Sequence, residues 1–549
     1  MHQTWIGPRR AQARANDRTL GTRGLIRLIL RRDRFLLPTW ILWLSILPIQ
    51  TAVATDQLFP TAQARQDYFG TIVANPGLVG FLGPVFNSSL GALTTWRIGA
   101  YFVIVGLVSL LTVIRHTRTD EEAGRRELLG STVVGRYAPL AAALLVTFAA
   151  NLLLAAVLTA GMVGLGLPVA GSLALGLALA AAGWMFAAVA AVAAQLTQGA
   201  GGARGIAVGV LGLAFLLRAA GDSGGQGSGV SWLSWLSPLG WAQQTRPYAG
   251  ERWWVFALAA GLVVALVAAA VALLARRDVG AGILPARLGP AAAAPGLRSP
   301  LALAWRLHRG MLLGWTAGFA VGGVVIGSVA ESTSDLAAES AQLQDLLQRL
   351  GGQGGLADAY LAGVMSLLGV AAAGYAIQAT LRLRAEEEGL RAEPVLATTV
   401  GRVSWTISHL VFGVFGPAVA LAVFGLTGGL VYGLMRGDVA GELPRVLGGA
   451  LVQLPAVWVL SGVAAALFGL LPRLAAASWA ALAVFGSLAM LGPLLQLNQG
   501  LVDVSPFSHI PRLPGGAVSA TPLAWLLGLA AVLAVAGLGG FRRRDLVSA

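Results

Sequence analysis

Long apolar runs alternate with short charged segments along most of this chain. Each run is about the ~20 residues that a helix needs to cross ~30 Å of hydrocarbon. Apolar residues fill the runs without a period of two, which predicts helices and not a barrel. The pattern predicts twelve spans, at 35–53, 96–114, 138–163, 170–196, 205–220, 253–275, 310–330, 359–380, 405–431, 446–471, 474–493 and 521–540. The shortest, 205–220, ends in Arg218. Six spans fall on either side of a Pro/Ala/Gly-rich connector at 279–300. The fold class is an all-α polytopic membrane protein of about 12 transmembrane helices, arranged as two parallel six-helix repeats.

The charged segments repeat. Residues 121–136 read EEAGRRELLGSTVVGR, and residues 386–402 read EEEGLRAEPVLATTVGR. With one gap, nine of sixteen positions are identical: Glu121/Glu386, Glu122/Glu387, Gly124/Gly389, Arg126/Arg391, Glu127/Glu393, Thr132/Thr398, Val134/Val400, Gly135/Gly401 and Arg136/Arg402. Arg276-Arg277-Asp278 closes the first half as Arg543-Arg544-Asp545 closes the second. Ser237-Pro238 and Ser505-Pro506 precede the last span of each half. Basic amphipathic stretches at 25–35 and 301–310 suit helices lying in the interface plane. The organisation is therefore a basic N-terminal segment with a lead-in helix (1–34), a first half (35–278), a linker with a second lead-in helix (279–309) and a second half (310–549). An even span count per half makes the two repeats run the same way.

A mean hydropathy of +0.74 with 11% charged residues excludes a soluble domain. All 38 basic residues are Arg, and 29 fall on the side that holds both termini, against nine on the other. Basic residues near helix ends resist translocation, so both termini and both charged islands are expected in the cytoplasm of a bacterial plasma-membrane protein. Nine Arg in residues 1–34 are too many for an ordinary signal-peptide n-region, so no cleavable signal is expected. The Lys-free, Ala- and Gly-rich composition fits GC-rich coding, and nucleic acid is not an expected partner.

Candidate chemistry is sparse. Without Lys there is no P-loop, so nucleotide hydrolysis is not expected on this chain. Without Cys there are no disulfides, thiolate metal sites or cysteine nucleophiles. The five His have no metal-ligand spacing. No catalytic, metal or cofactor-binding residue is expected. Asn151, Gln378 and Gln453 are the notable polar groups within spans, suited to helix–helix hydrogen bonds of ~1 kcal/mol each. Ion-coupled transport usually leaves ionisable groups inside the membrane, and the predicted span interiors carry almost none. Five of the sixteen Trp lie between Trp232 and Trp254, which fits an aromatic belt better than a substrate gate.

In the islands, Glu121→Arg125, Glu122→Arg126 and Glu387→Arg391 have the favourable i,i+4 order, predicting short, self-paired, solvated helices. Their sequence resembles the coupling helix of type-2 ATP-binding-cassette (ABC) permeases, E-x-E-x-G-T-L-E-x-L-L-x-T-P-V-S-R. The first island matches through Glu122, Gly124, Glu127, Leu128, Leu129, Thr132, Val134 and Arg136. The second matches through Glu387, Gly389, Glu393, Thr398, Val400 and Arg402, but has Pro394-Val395 for the Leu pair. The fused twelve-span form is similar to actinobacterial polyketide-antibiotic exporters of the tetronasin type.

The resemblance implies a permease subunit whose ATP and Mg sit on two copies of a separate ATPase, one per island. Glu121, Glu122, Gly124, Glu127 and Arg136, with Glu386, Glu387, Gly389, Glu393 and Arg402, are then the coupling residues. ATPase closure would rock the halves between inward- and outward-open states, exporting a hydrophobic cargo such as polyketide antibiotics. The alternatives are a twelve-span secondary drug transporter and a non-transporting membrane partner of such a system.

Overall fold

A computed structural model of the chain describes residues 19–74, 76–125, 134–223, 229–284, 291–330, 356–491 and 498–545. Contacts divide the chain into two units, 1–289 and 290–549. The described residues form helices without strands, and twelve of these helices are long and apolar enough to span a membrane. The protein is an all-α polytopic membrane protein.

In the first unit the spans are Leu36–Leu58, Tyr101–Glu122, Ala138–Gly164, Val169–Leu196, Ala200–Ser223 and Trp254–Arg276. The fifth is a full 24-residue span, longer than the apolar run at 205–220 suggested. The Ala-rich fourth span is the core, packed against the second, third, fifth and sixth. Small side chains let helices approach closely where lipid tails give no hydrophobic drive for association. Asn151 bears out its expected role: its Nδ2 donates to Ser109 Oγ at 3.0 Å, joining the third span to the second. A Cβ on Gly183 of the fourth span would collide with the Asn151 amide.

A separate lead-in helix, Thr22–Arg32, buries Leu25 and Ile29 against the third span. Arg23, Arg27 and Arg31 remain exposed beside Leu28 and Leu30. The helix ends at Asp33, whose carboxylate is drawn inward to His116 Nε2 at 2.6 Å and to Arg115 at 2.9 Å.

The second unit has spans Pro300–Ser328, Tyr360–Glu388, Arg402–Arg436, Val439–Leu470, Pro472–Met490 and Ala520–Arg543. Its lead-in stretch is not a separate helix. Residues 301–310 are the opening turns of one helix, Pro300–Val329, capped by Ser299 Oγ, which accepts from the Ala302 N–H. Pro300–Val329 contains no acidic residue, and the helix runs on unbroken. Gln378 accepts from Trp315 Nε1 at 2.9 Å, tying the second span to the first. Gln453 sits at the break between Val439–Leu451 and Leu454–Leu470, where a Cβ on Gly369 would strike it.

Glycine permits close helix approach in this unit. A Cβ on Gly469 would meet the Gly537 carbonyl, and one on Gly537 would meet the Ala465 carbonyl. Both obstacles are backbone, which cannot swing away as a side chain can. Gly469→Val should therefore destabilise the second unit by at least ~1–3 kcal/mol through overpacking. Thermal unfolding of the purified variant in detergent checks this, and an unchanged melting temperature would rule out the close contact.

Candidate functional site

The islands are built around buried ion pairs that run to the end of the last span of the same unit. In the first unit the second span closes with a π-helical turn, Arg115–Thr119, followed by the short turn Asp120–Glu122. Glu121, with a side chain 2% exposed, accepts from Arg277 Nη1 and Nη2 at 2.8 Å each. Arg118 lies 3.0 Å from the same carboxylate, and the Gly280 N–H donates to it at 2.7 Å. Arg277 also donates from Nε to Gln195 Oε1 at 2.8 Å, at the end of the fourth span. The Glu121–Arg277 pair thus fastens three chain segments.

The neighbouring acids are employed separately. Asp120 pairs with Arg32 of the lead-in helix at 2.7 Å and with Arg125 at 2.6 Å. Glu122 Oε2 accepts from the Ala200 N–H at 2.8 Å, satisfying a free donor at the N-terminus of the fifth span. Arg136 donates to the Arg277 carbonyl. Gly124 takes φ +70°, a left-handed turn that glycine enters without strain.

The second unit repeats this arrangement. Glu387 accepts from Arg544 Nη1 at 2.7 Å and Nη2 at 2.6 Å, a bidentate charge-assisted pair. The Arg544 guanidinium lies over Phe468 and Phe541, 5.1 and 5.0 Å from the ring centres. Glu386 pairs with Arg391 and Arg382 at 2.8 Å each, and Glu388 with Arg384 at 2.6 Å. Arg402 donates to the Arg544 carbonyl at 2.6 Å. Glu393 is exposed on the short helix Ala392–Leu396.

These equivalences correct the expected alignment. Asp120/Arg125 corresponds to Glu386/Arg391, Glu121 to Glu387 and Arg136 to Arg402, all at an offset of 266 residues with no gap. Matching Gly124 to Gly389 shifts the start of the two islands by one residue against these contacts. The left-handed residue of the second island is Leu390, at φ +55°, whereas Gly389 has φ −85°.

The self-paired, solvated helix is corrected as well. Arg125 turns to Asp120 and Arg391 to Glu386, leaving Glu121 and Glu387 to the last-span arginines. Arg126, Glu127, Leu128, Leu129 and Thr132 lie outside the described residues. The sequence reading missed Arg118, Gln195, Arg277 and Arg544 as partners. The repeated Arg-Arg-Asp closures held the signal for the last two.

Two histidines far apart in sequence also meet. His308 Nε2 lies 2.9 Å from His409 Nδ1, both buried, with the His308 ring stacked on Phe412. Among the described residues no group of three or more His, Cys, Asp or Glu could hold a metal.

Residues 297–542 match the family model of the C-terminal domain of the multidrug efflux system permease Rv1217c. Over 527 residues the chain is 48% identical to the multidrug efflux system permease protein Rv1217c of Mycobacterium tuberculosis, covering 96% of this chain and 95% of that protein. The chain belongs to this multidrug efflux permease family. It is thus a multi-pass membrane permease, a transport subunit and not an enzyme. The ion-pair framework is a part of this permease that its two halves build alike.

Leu390 supplies a test of the corrected register. A non-glycine residue in the left-handed region costs ~1–2 kcal/mol, part of which glycine returns through its looser unfolded state. Leu390→Gly should stabilise the permease by about 1 kcal/mol, while Gly389→Gln should not. Thermal or denaturant unfolding of both variants decides it. Loss of stability at Leu390→Gly, together with a loss at Gly389→Gln of the size expected for a left-handed position, would restore the gapped alignment.

Proposed function

We propose that this permease is the membrane subunit of an ATP-driven exporter, powered by two copies of a separate cytoplasmic ATPase docked one on each island. Both termini then lie in the cytoplasm of a bacterial cell, as the Arg asymmetry indicates. The observation that carries this reading is the twice-built clasp, Glu121–Arg277 and Glu387–Arg544. A docking element that moves a helix bundle must be rigidly joined to it. Each clasp ties the turn after the second span to the end of the sixth span of the same half, so a push on the island reaches both spans together.

The clasp also divides labour among the proposed coupling residues. Glu121, Glu386 and Glu387 are buried in structural pairs, so they brace the island instead of touching a partner. Gly124, and Leu390 in its place in the second island, turn the chain out of the clasp. Arg136 and Arg402 lock the start of the third span onto the last-span tail. Glu393, exposed, and its counterpart Glu127 are left as the ATPase contacts. The cargo is a hydrophobic or amphipathic drug, in keeping with the name of the mycobacterial relative, and polyketide antibiotics are the class that the resemblance favours.

Co-purification with the cognate ATPase tests the reading. The purified permease alone should show no ATP hydrolysis, and the complex should hold two ATPase subunits per chain. Glu127→Ala with Glu393→Ala should weaken docking by ~2–5 kcal/mol if each acid meets a buried basic group. Drug export would fall with it, at normal expression and melting temperature. Wild-type export by the double variant, or failure of any ATPase to bind, would remove the islands as coupling elements.

A further inference from the structure

At the end of the first unit opposite its island, the loops between spans one and two and between spans five and six enclose a cavity of about 560 Å³. That size suits a small-molecule ligand. Phe69, Val73, Phe86 and Trp235 give it an apolar wall, and Asp222, Arg246 and Arg252 give it a charged side.

The charges do not balance. Asp222 already faces Arg218 at 3.7 Å, and Arg218 is itself held by the Gly80 and Phe81 carbonyls at 2.9 and 2.7 Å. Arg246 and Arg252 have no carboxylate within ion-pair distance among the described residues. The neighbouring Glu251 instead accepts from the Tyr248 N–H at 3.2 Å. Arg246 packs its guanidinium over the Phe86 ring, 4.4 Å from the centre, with Nε buried and without a hydrogen-bond partner. Burial first, then the like charge of Arg252, lower its pKa from the ordinary guanidinium value.

Two guanidiniums that line one cavity without an ion-paired carboxylate oppose each other, and a folded chain gains nothing from that unless something anionic joins them. The backbone makes the same point independently. Arg246 and Tyr248 both hold left-handed conformations, φ +51° and φ +61°, in a turn that aims Arg246 at the cavity. Strain of this kind, over-determined by its surroundings, clusters at ligand sites. Hydrogen bonds anchor the turn, with Asn87 Nδ2 donating to the Tyr248 carbonyl at 2.9 Å and the Tyr248 hydroxyl to Ser172 Oγ at 2.9 Å. The turn that carries Arg246 is therefore held in place before any ligand arrives.

We infer that this cavity binds an amphipathic anion, its carboxylate or phosphate bridging Arg246 and Arg252 and its apolar body lying against Phe86 and Trp235. The site needs neither ATP nor a partner chain, so it stands or falls apart from the proposed ATPase coupling. Two sources share the chemistry, a soluble amphiphile with an acid group and the headgroup of an anionic lipid.

The test uses the full-length permease in phosphatidylcholine nanodiscs, titrated calorimetrically with dodecanoate, dodecanol and dodecyltrimethylammonium against empty discs. Dodecanoate should bind most tightly. Arg246→Gln with Arg252→Gln should weaken it about tenfold or more, the loss expected for charge-assisted hydrogen bonds, and leave the other two unchanged. Should the double variant melt early, Arg252→Gln alone carries the test, since the Arg252 side chain has no structural hydrogen bond to lose. Repeating the titration in phosphatidylglycerol discs separates the sources. Lost dodecanoate binding there identifies the lipid headgroup, and retained binding identifies a soluble amphiphile. Equal binding of all three probes, or dodecanoate binding indifferent to the arginine substitutions, overturns the inference.

Discussion

Each half of this permease depends on one carboxylate–guanidinium pair, the buried Glu121–Arg277 in the first and the largely buried Glu387–Arg544 in the second. Such pairs are costly to bury and yield little net stability, so their value lies in geometry. A lone buried Glu or Arg would be strongly destabilising, and the two must therefore meet. That requirement fixes where the tail after the sixth span returns and holds the island against it. The remaining acids then fall into place, Asp120 and Glu386 on the first arginine of the island, and Glu122 on the start of the fifth span.

Most of the fold was legible in the pattern of apolar runs, because a bilayer leaves the backbone few alternatives to helices of a set length. The predicted spans match the helices to within a few residues at most ends. The shortfalls have local causes. The fifth span was read short because Arg204 and Arg218 interrupt the apolar run. Arg218 is nonetheless tolerated, buried and bonded to two carbonyls and to Gln243. The second lead-in helix was read as separate because its sequence is as basic and amphipathic as the first. The break in the first unit falls at Asp33, held by His116 and Arg115, and that contact is invisible in a run of residues.

The site was legible in part. Repetition located both islands, and the closing Arg-Arg-Asp motifs were noticed. Their meeting was not, since 156 residues separate Glu121 from Arg277 and 157 separate Glu387 from Arg544. Favourable i,i+4 spacing suggested pairs within each island, but spacing measures only reach along a helix. It cannot weigh a surface pair worth a few tenths of a kcal/mol against a buried one that the fold must satisfy. The register slipped for a similar reason. Glycine identity is a strong cue in sequence, but the backbone tolerates Leu390 where its relative has Gly124.

Exchanging the charges of one clasp tests the account most directly. Glu387→Arg, Arg544→Glu and the two together form a cycle whose coupling reports the pair alone. Drug export per folded molecule in proteoliposomes with the proposed ATPase partner is the quantity to measure, with melting temperature alongside. Each single reversal should lower both, and the exchange should restore a substantial part of each. A single reversal that folds, melts and exports like the wild type would show that the second half does not depend on its clasp.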